Sequence, residues 1–159
     1  MTITERLKGR PVYQGFPVPY TVVVDIHGVP DFKATDMDRW RDCVERNLCA
    51  ICGHKLDYWV WYIGGPSCAD EGIYFDLAMH EECCFFSAAV CPFIAKGRDY
   101  ASHVKLPAGY ERLSAHQVKR GAAIYASKRR RGVKLVQVGG GVGVKAGAEV
   151  ERVLLEPQK

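Results

Sequence analysis

Seven cysteines, Cys43, Cys49, Cys52, Cys68, Cys83, Cys84 and Cys91, lie between positions 43 and 91 of a 159-residue chain, and the rest of the sequence holds none. Thiols so concentrated must be disulfide-bonded, bound to metal, chemically active or buried. An odd number argues against a complete disulfide framework. The start, Met1 to Lys8, lacks the apolar run of a signal peptide, and no apolar stretch approaches the roughly 20 residues needed to cross a bilayer. The sequence therefore predicts a cytoplasmic protein without membrane contact, in a reducing compartment where disulfides are rare.

Zinc takes four ligands in a tetrahedron, and a chain usually supplies them as two local pairs. Cys49 and Cys52, followed by Gly53, form one pair. Two intervening residues let both thiolates aim at a common ion, and glycine permits the tight turn. His80 and Cys83 form the second, three apart on one face of a helix read from about Leu77 to Val90 and capped by Asp76. The expected cofactor is one structural Zn2+ held by Cys49, Cys52, His80 and Cys83. The plainer alternative is burial of the thiols as small hydrophobes; a redox or catalytic thiol is the other. Cys68, Cys84 and Cys91 can each stand in for a ligand. Cys84 lies about 100° round the helix from Cys83 and reads as packing inward, and Cys43 has no assignment.

The remaining elements follow from local pattern. Pro11 to Pro19 reads as an extended arm rich in proline and glycine, and Tyr20–Ile26 as a β-branched strand ending at His27 and Gly28. Thr35 or Asp36 can cap a helix whose buried stripe is Trp40, Val44 and Leu48. Tyr58–Ile63 is an aromatic strand stopped by Gly64, Gly65 and Pro66; a loop through Gly72 and a short strand at Ile73–Phe75 follow. Residues 96–113 look irregular. Ser114 can cap a second helix from Ala115 to about Arg130, with Val118, Ala122 and Tyr125 on one face. Val133–Val138 and Val150–Leu155, separated by a glycine run, read as a terminal β-hairpin. That run lacks the Gly-Lys-Ser/Thr ending of a phosphate loop. The fold class is α+β: a small zinc-centred, treble-clef-like core with short antiparallel strands, two to three helices and a C-terminal β-hairpin. Residues 1–95 form the zinc-binding core and N-terminal arm. Residues 96–159 supply the basic helix and hairpin, packed as part of the same domain.

Charge divides along the same line. Residues 1–95 carry eight basic against 13 acidic side chains, net −5, and residues 96–159 carry 14 against five, net +9. A basic segment of this kind is attracted to phosphate, although a solvated Lys/Arg face is the ordinary alternative. Lys119, Arg120, Lys128, Arg129, Arg130 and Arg131 are the candidate nucleic-acid contacts, with Tyr110 or Tyr125 available for stacking.

The motifs Gly15–Tyr20, Gly28–Phe32, Trp40, Cys49-x-x-Cys52-Gly53, Gly65–Cys68, Met79-His80-x-x-Cys83 and Cys91–Phe93 together resemble a family of small uncharacterised zinc-binding proteins of bacteria and their phages. The likeness spans about residues 15–95 and, more weakly, Gly132–Val136. It implies a treble-clef-like fold and a metal, and supplies no activity. Three functional readings compete. A nucleic-acid-binding or interaction module combines the zinc with the basic third. A phage-encoded factor that inhibits or adapts a host protein would use the aromatic strand Tyr58–Tyr62. An HNH-like metal-dependent nuclease would need a histidine base beside a hydrolytic metal, but His80 belongs to the quartet, and His27 and His54 read as surface residues. A deaminase-like site using Glu81 or Glu82 lacks the second half of its signature. Four ligands make a closed, structural site, so binding rather than catalysis is expected.

Overall fold

The structure, a computed structural model, describes residues 3–91, 123–131, 134–139 and 141–156. After a single 3-10 turn at Glu5–Leu7, strands β1 (Val12–Tyr13) and β2 (Phe16–Pro17) form a small hairpin where an irregular arm was expected. Strands β3 (Val22–Val24) and β4 (Pro30–Thr35) form another. The Asp25 carboxylate closes its turn by accepting the His27 and Val29 backbone N–H groups, both at 2.8 Å. Helix α1 (Met37–Arg46) starts at Asp36, whose side chain accepts the Asp38 and Arg39 N–H groups as an N-cap should. Trp40 and Cys43 face the core. The helix ends at Asn47 in the left-handed conformation, so Leu48 lies beyond it and packs as part of the cysteine turn.

Strand β5 (Trp59–Gly64) follows. Helix α2 (Pro66–Glu71) replaces the expected loop: Pro66 opens it, where a missing N–H costs nothing, and Gly72 closes it at φ +69. Strand β6 (Ile73–Tyr74) leads to helix α3 (Glu81–Val90). That helix begins four residues later than expected, at His80 rather than Asp76, because Met79 is drawn into strand-like pairing with Trp61. Four strands complete the described chain: β7 (Ile124–Arg130), β8 (Lys134–Val138), β9 (Gly141–Lys145) and β10 (Glu149–Leu155).

Two expectations for the basic third are corrected. The helix drawn from Ala115 to about Arg130 is strand β7 over its last residues; residues 115–122 lie outside the described chain. The hairpin partner of β8 is β9, whereas β10 pairs with β7. Pairing across the sheets outweighs the helical reading here, as tertiary context commonly does.

All pairings are antiparallel, giving one sheet in the order β10-β7-β5 and another in the order β6-β9-β8. Residues directly opposite share a face. Trp59, Trp61 and Ile63 therefore lie with Arg130, Lys128 and Ala126, while Val60 and Tyr62 lie with Arg129 and Ser127. On the first face Trp61 meets Phe85 of α3 edge-on, with ring centroids 5.0 Å apart. On the second Tyr62 stacks on Tyr74 of β6 at 4.7 Å. Trp61, Tyr62 and Tyr74 are fully enclosed, and burial of each stabilises the fold by about 1.5–3 kcal/mol.

Candidate metal centre

Cys49 and Cys52 stand on a tight turn whose backbone bonds hold both thiols inward. Cys49 N–H donates to the His54 carbonyl at 2.8 Å, Gly53 N–H to the Cys49 carbonyl at 2.9 Å, and Leu48 bridges to Lys55 across the base. His54 N–H also points at Cys52 Sγ, 3.5 Å away. Gly53 is required twice over: its φ is +78, and a Cβ there would sit 2.8 Å from the Tyr20 ring. Tyr20 lies against the turn, its N–H donating to the Ile51 carbonyl at 2.9 Å. The guanidinium carbons of Arg10 and Arg39 are 5.5 and 5.0 Å from its ring centroid.

The second pair is placed by backbone stitching. Met79 exchanges two 2.9 Å hydrogen bonds with Trp61 of β5, and the Ala78 carbonyl accepts from Ala50 N–H at 3.1 Å. The short Ala78–Met79 segment thus ties the cysteine turn to the sheet and delivers His80 to the start of α3. Cys83 follows one turn on.

Cys49, Cys52, His80 and Cys83 are all buried, and one donor atom from each lies within 4.8 Å of the other three. Tetrahedral zinc with Zn–S bonds of about 2.3 Å separates its sulfurs by about 3.8 Å, so the set fits such an ion with a small contraction. His80 is oriented for ligation by a partner the sequence does not reveal. Its Nε2 bonds the Lys55 carbonyl at 2.7 Å, and Nδ1 faces Cys52 Sγ at 3.4 Å. A proton on Nε2, donated to that carbonyl, leaves Nδ1 free to bind a metal. Because the acceptor is a main-chain oxygen, side-chain identity carries no signal of it.

Without an ion the cluster holds charge at Cys52. Hydrogen bonds from the Cys49 and Cys83 thiols hold the Cys52 thiol far below its ordinary range, outweighing burial, with His80 and His54 adding to the effect. Burial works against a charged His80, but its bonds to Cys49 and Cys52 raise it to about 10. Cys83, bonded to Cys49 and Cys52 and buried, is pushed up and stays a thiol. An imidazolium beside a thiolate is the arrangement from which a metal ion displaces protons.

The remaining cysteines stand apart from the quartet. Burial, then the neighbouring Cys49, raises Cys43 to about 12, and burial likewise raises Cys84 and Cys68. Cys84 packs inward, as its position round the helix implies.

The basic candidates divide. Lys119, Arg120 and Tyr110 lie outside the described residues. Lys128, Arg130 and Arg131 reach the surface to different degrees. Arg129 is an interior residue, only 6% exposed. Its Nε donates to the Tyr74 hydroxyl at 3.1 Å, and its terminal nitrogens donate to the Gly147 and Ala69 carbonyls at 2.9 and 2.7 Å. Glu149 lies 3.4 Å away. Strand alternation turns this one arginine inward, so its place as a candidate phosphate contact is corrected to a structural one. Of the aromatic strand, Trp61 and Tyr62 are core, and Tyr58 and Trp59 are exposed.

Among the described residues no helix is long and apolar enough to cross a membrane. No family model matches the chain, and neither a curated protein nor a solved structure matches it.

Proposed function

We propose that the protein is a structural-zinc module that acts by binding, with nucleic acid as its ligand through the basic C-terminal third. The observation that carries the zinc reading is the buried Cys3His set, with His80 fixed on the Lys55 carbonyl so that Nδ1 faces the thiols. Four soft or borderline donors leave no position for a catalytic water, which favours a structural ion over a nuclease-type one. The knuckle at Cys49–Lys55 and the ligand pair at the start of α3 support a treble-clef-like description. The intervening strands depart from it, because β5 and β6 pair with β7 and β9 and not with each other. The motif likeness to small bacterial and phage zinc-binding proteins agrees with this reading, and three ligating thiols suit a reducing cytoplasm.

Nucleic acid is favoured by the +9 charge of residues 96–159 and by the exposure of Arg130 and Arg131 at the end of β7. Metal quantification of the purified protein tests the first half: one zinc per chain is expected, and well under one, or a Cys49→Ser variant that keeps its metal, overturns it. A binding titration against DNA and RNA at low salt tests the second. Affinity that falls steeply with added salt supports phosphate contacts, and no affinity for either nucleic acid at low salt overturns the reading.

A further inference from the structure

Three aromatic side chains among the described residues, Phe16, Tyr58 and Trp59, are well exposed, and of these Tyr58 and Trp59 are neighbours at the start of β5. They are 56% and 40% exposed, whereas the next two aromatics of the same strand, Trp61 and Tyr62, are enclosed at 2% and 0%. The two rings meet edge-on with centroids 5.0 Å apart, which holds them as a unit. Cationic side chains border them. Trp59 lies directly opposite Arg130 in the β5–β7 register and so shares its face. Arg131 N–H donates to the Tyr58 carbonyl at 2.7 Å, and one terminal nitrogen of Arg131 donates to the Leu56 carbonyl at 3.1 Å. That bond holds the Arg131 guanidinium on the Leu56 carbonyl, two residues before Tyr58 in the chain. Of the nearby carboxylates, Asp57 lies 3.4 Å from Arg6, and Glu151 stands opposite Lys128 in the β10–β7 register. Among the described residues neither Arg130 nor Arg131 forms an ion pair with a carboxylate.

We infer that Tyr58 and Trp59 form a stacking platform for the unpaired bases of single-stranded nucleic acid, with Arg130 and Arg131 contacting the adjoining phosphates. A duplex keeps its base faces covered by neighbouring pairs, so exposed rings beside guanidinium groups match a single strand better than a double one. The inference rests on the nucleic-acid reading above and narrows it to a substrate class and to two residues that charge alone does not select.

Tryptophan fluorescence gives a direct readout, because Trp40 and Trp61 are only 7% and 2% exposed and Trp59 is the one tryptophan open to a base. The full-length, zinc-loaded protein is titrated at low salt with oligothymidylate and with a duplex of the same length. Tighter binding of the single strand is expected, with quenching that vanishes in Trp59→Phe while affinity is largely kept. Tyr58→Ala and Trp59→Ala, checked for full zinc content, should each weaken single-strand binding about tenfold or more without changing its salt dependence. Arg130→Gln should instead flatten the slope of log affinity against log salt by about 0.7. Equal affinity for the two probes, with Tyr58→Ala and Trp59→Ala unchanged, overturns the platform and leaves the nucleic-acid reading standing. No affinity for either probe overturns both.

Discussion

Two buried polar centres among the described residues, at Arg129 and at the Cys3His cluster, are complete in different senses. Around Arg129 every strong interaction is internal: three backbone or hydroxyl oxygens and the Glu149 carboxylate surround one guanidinium. At the Cys3His cluster, by contrast, four donor atoms converge within 4.8 Å, and protons must be shared among them for the group to exist without an ion. The first centre depends only on the chain. The second depends on what the chain can recruit, so the same fold should respond to metal supply at one end and be indifferent to it at the other.

Metal removal gives the largest separation. Chelation should loosen the Cys49–Lys55 turn and the start of α3, since structural zinc contributes on the order of 10 kcal/mol in small zinc-dependent folds. Thermal melting with and without chelator should show a midpoint that rises with free zinc; a midpoint that ignores zinc removes the distinction. Arg129→Ala breaks the other centre. It removes the partner of the Gly147 carbonyl and of the Tyr74 hydroxyl, while Glu149 and the Ala69 carbonyl keep Arg152, a loss of about 1–3 kcal/mol for each buried group left unsatisfied. Urea denaturation should record that loss while zinc content stays at one per chain.

pH sharpens the contrast. Binding must remove the His80 proton and the Cys83 proton, both held more tightly than usual. Zinc affinity should therefore fall steeply as the pH is lowered near neutrality, by about tenfold per pH unit for each proton displaced and so by about 100-fold or more. Competition against a chromophoric chelator at two pH values measures this, and a pH-independent affinity contradicts the imidazolium–thiolate arrangement. Without metal, the raised His80 contributes stability that is fully present below its ordinary value of 6.5 and lost as pH rises through about 10. Raising the pH thus favours the metal-loaded protein while removing that stabilisation from the metal-free one. Gly53→Ala is the mildest test. Left-handed strain and the approach to Tyr20 should together cost about 1–3 kcal/mol, read as a lower melting temperature together with weaker zinc retention.

The two centres also differ in how far the sequence reveals them. Tetrahedral coordination imposes spacing on the chain, so Cys49, Cys52, His80 and Cys83 can be read from their intervals. The same holds for Asp36 capping α1, because capping is a local interaction. Arg129 is invisible in this way. It stands in a run of four basic residues, Lys128 to Arg131, and only the register of β7 against β5 and β10 decides which of them turns inward. Leu77 to Met79 hides its structure for a related reason: the apolar triplet suits a helix, and only the edge of β5 draws Met79 out of it. Local chemistry is legible in a sequence, and long-range pairing is not.

The position of Met79 has one more consequence. Its two bonds to Trp61 cover the side of β5 that β7 does not occupy, and Met79 immediately precedes His80 of the candidate metal centre. A metal ion held by His80 would therefore act at a distance as a guard on a strand edge: while it stayed bound, the backbone of β5 would have no open donors or acceptors at Trp61 to offer another chain. Uncovered edges invite strand addition between molecules. Loss of zinc would then endanger the protein first through self-association, at concentrations where the rest of the sheet is still intact.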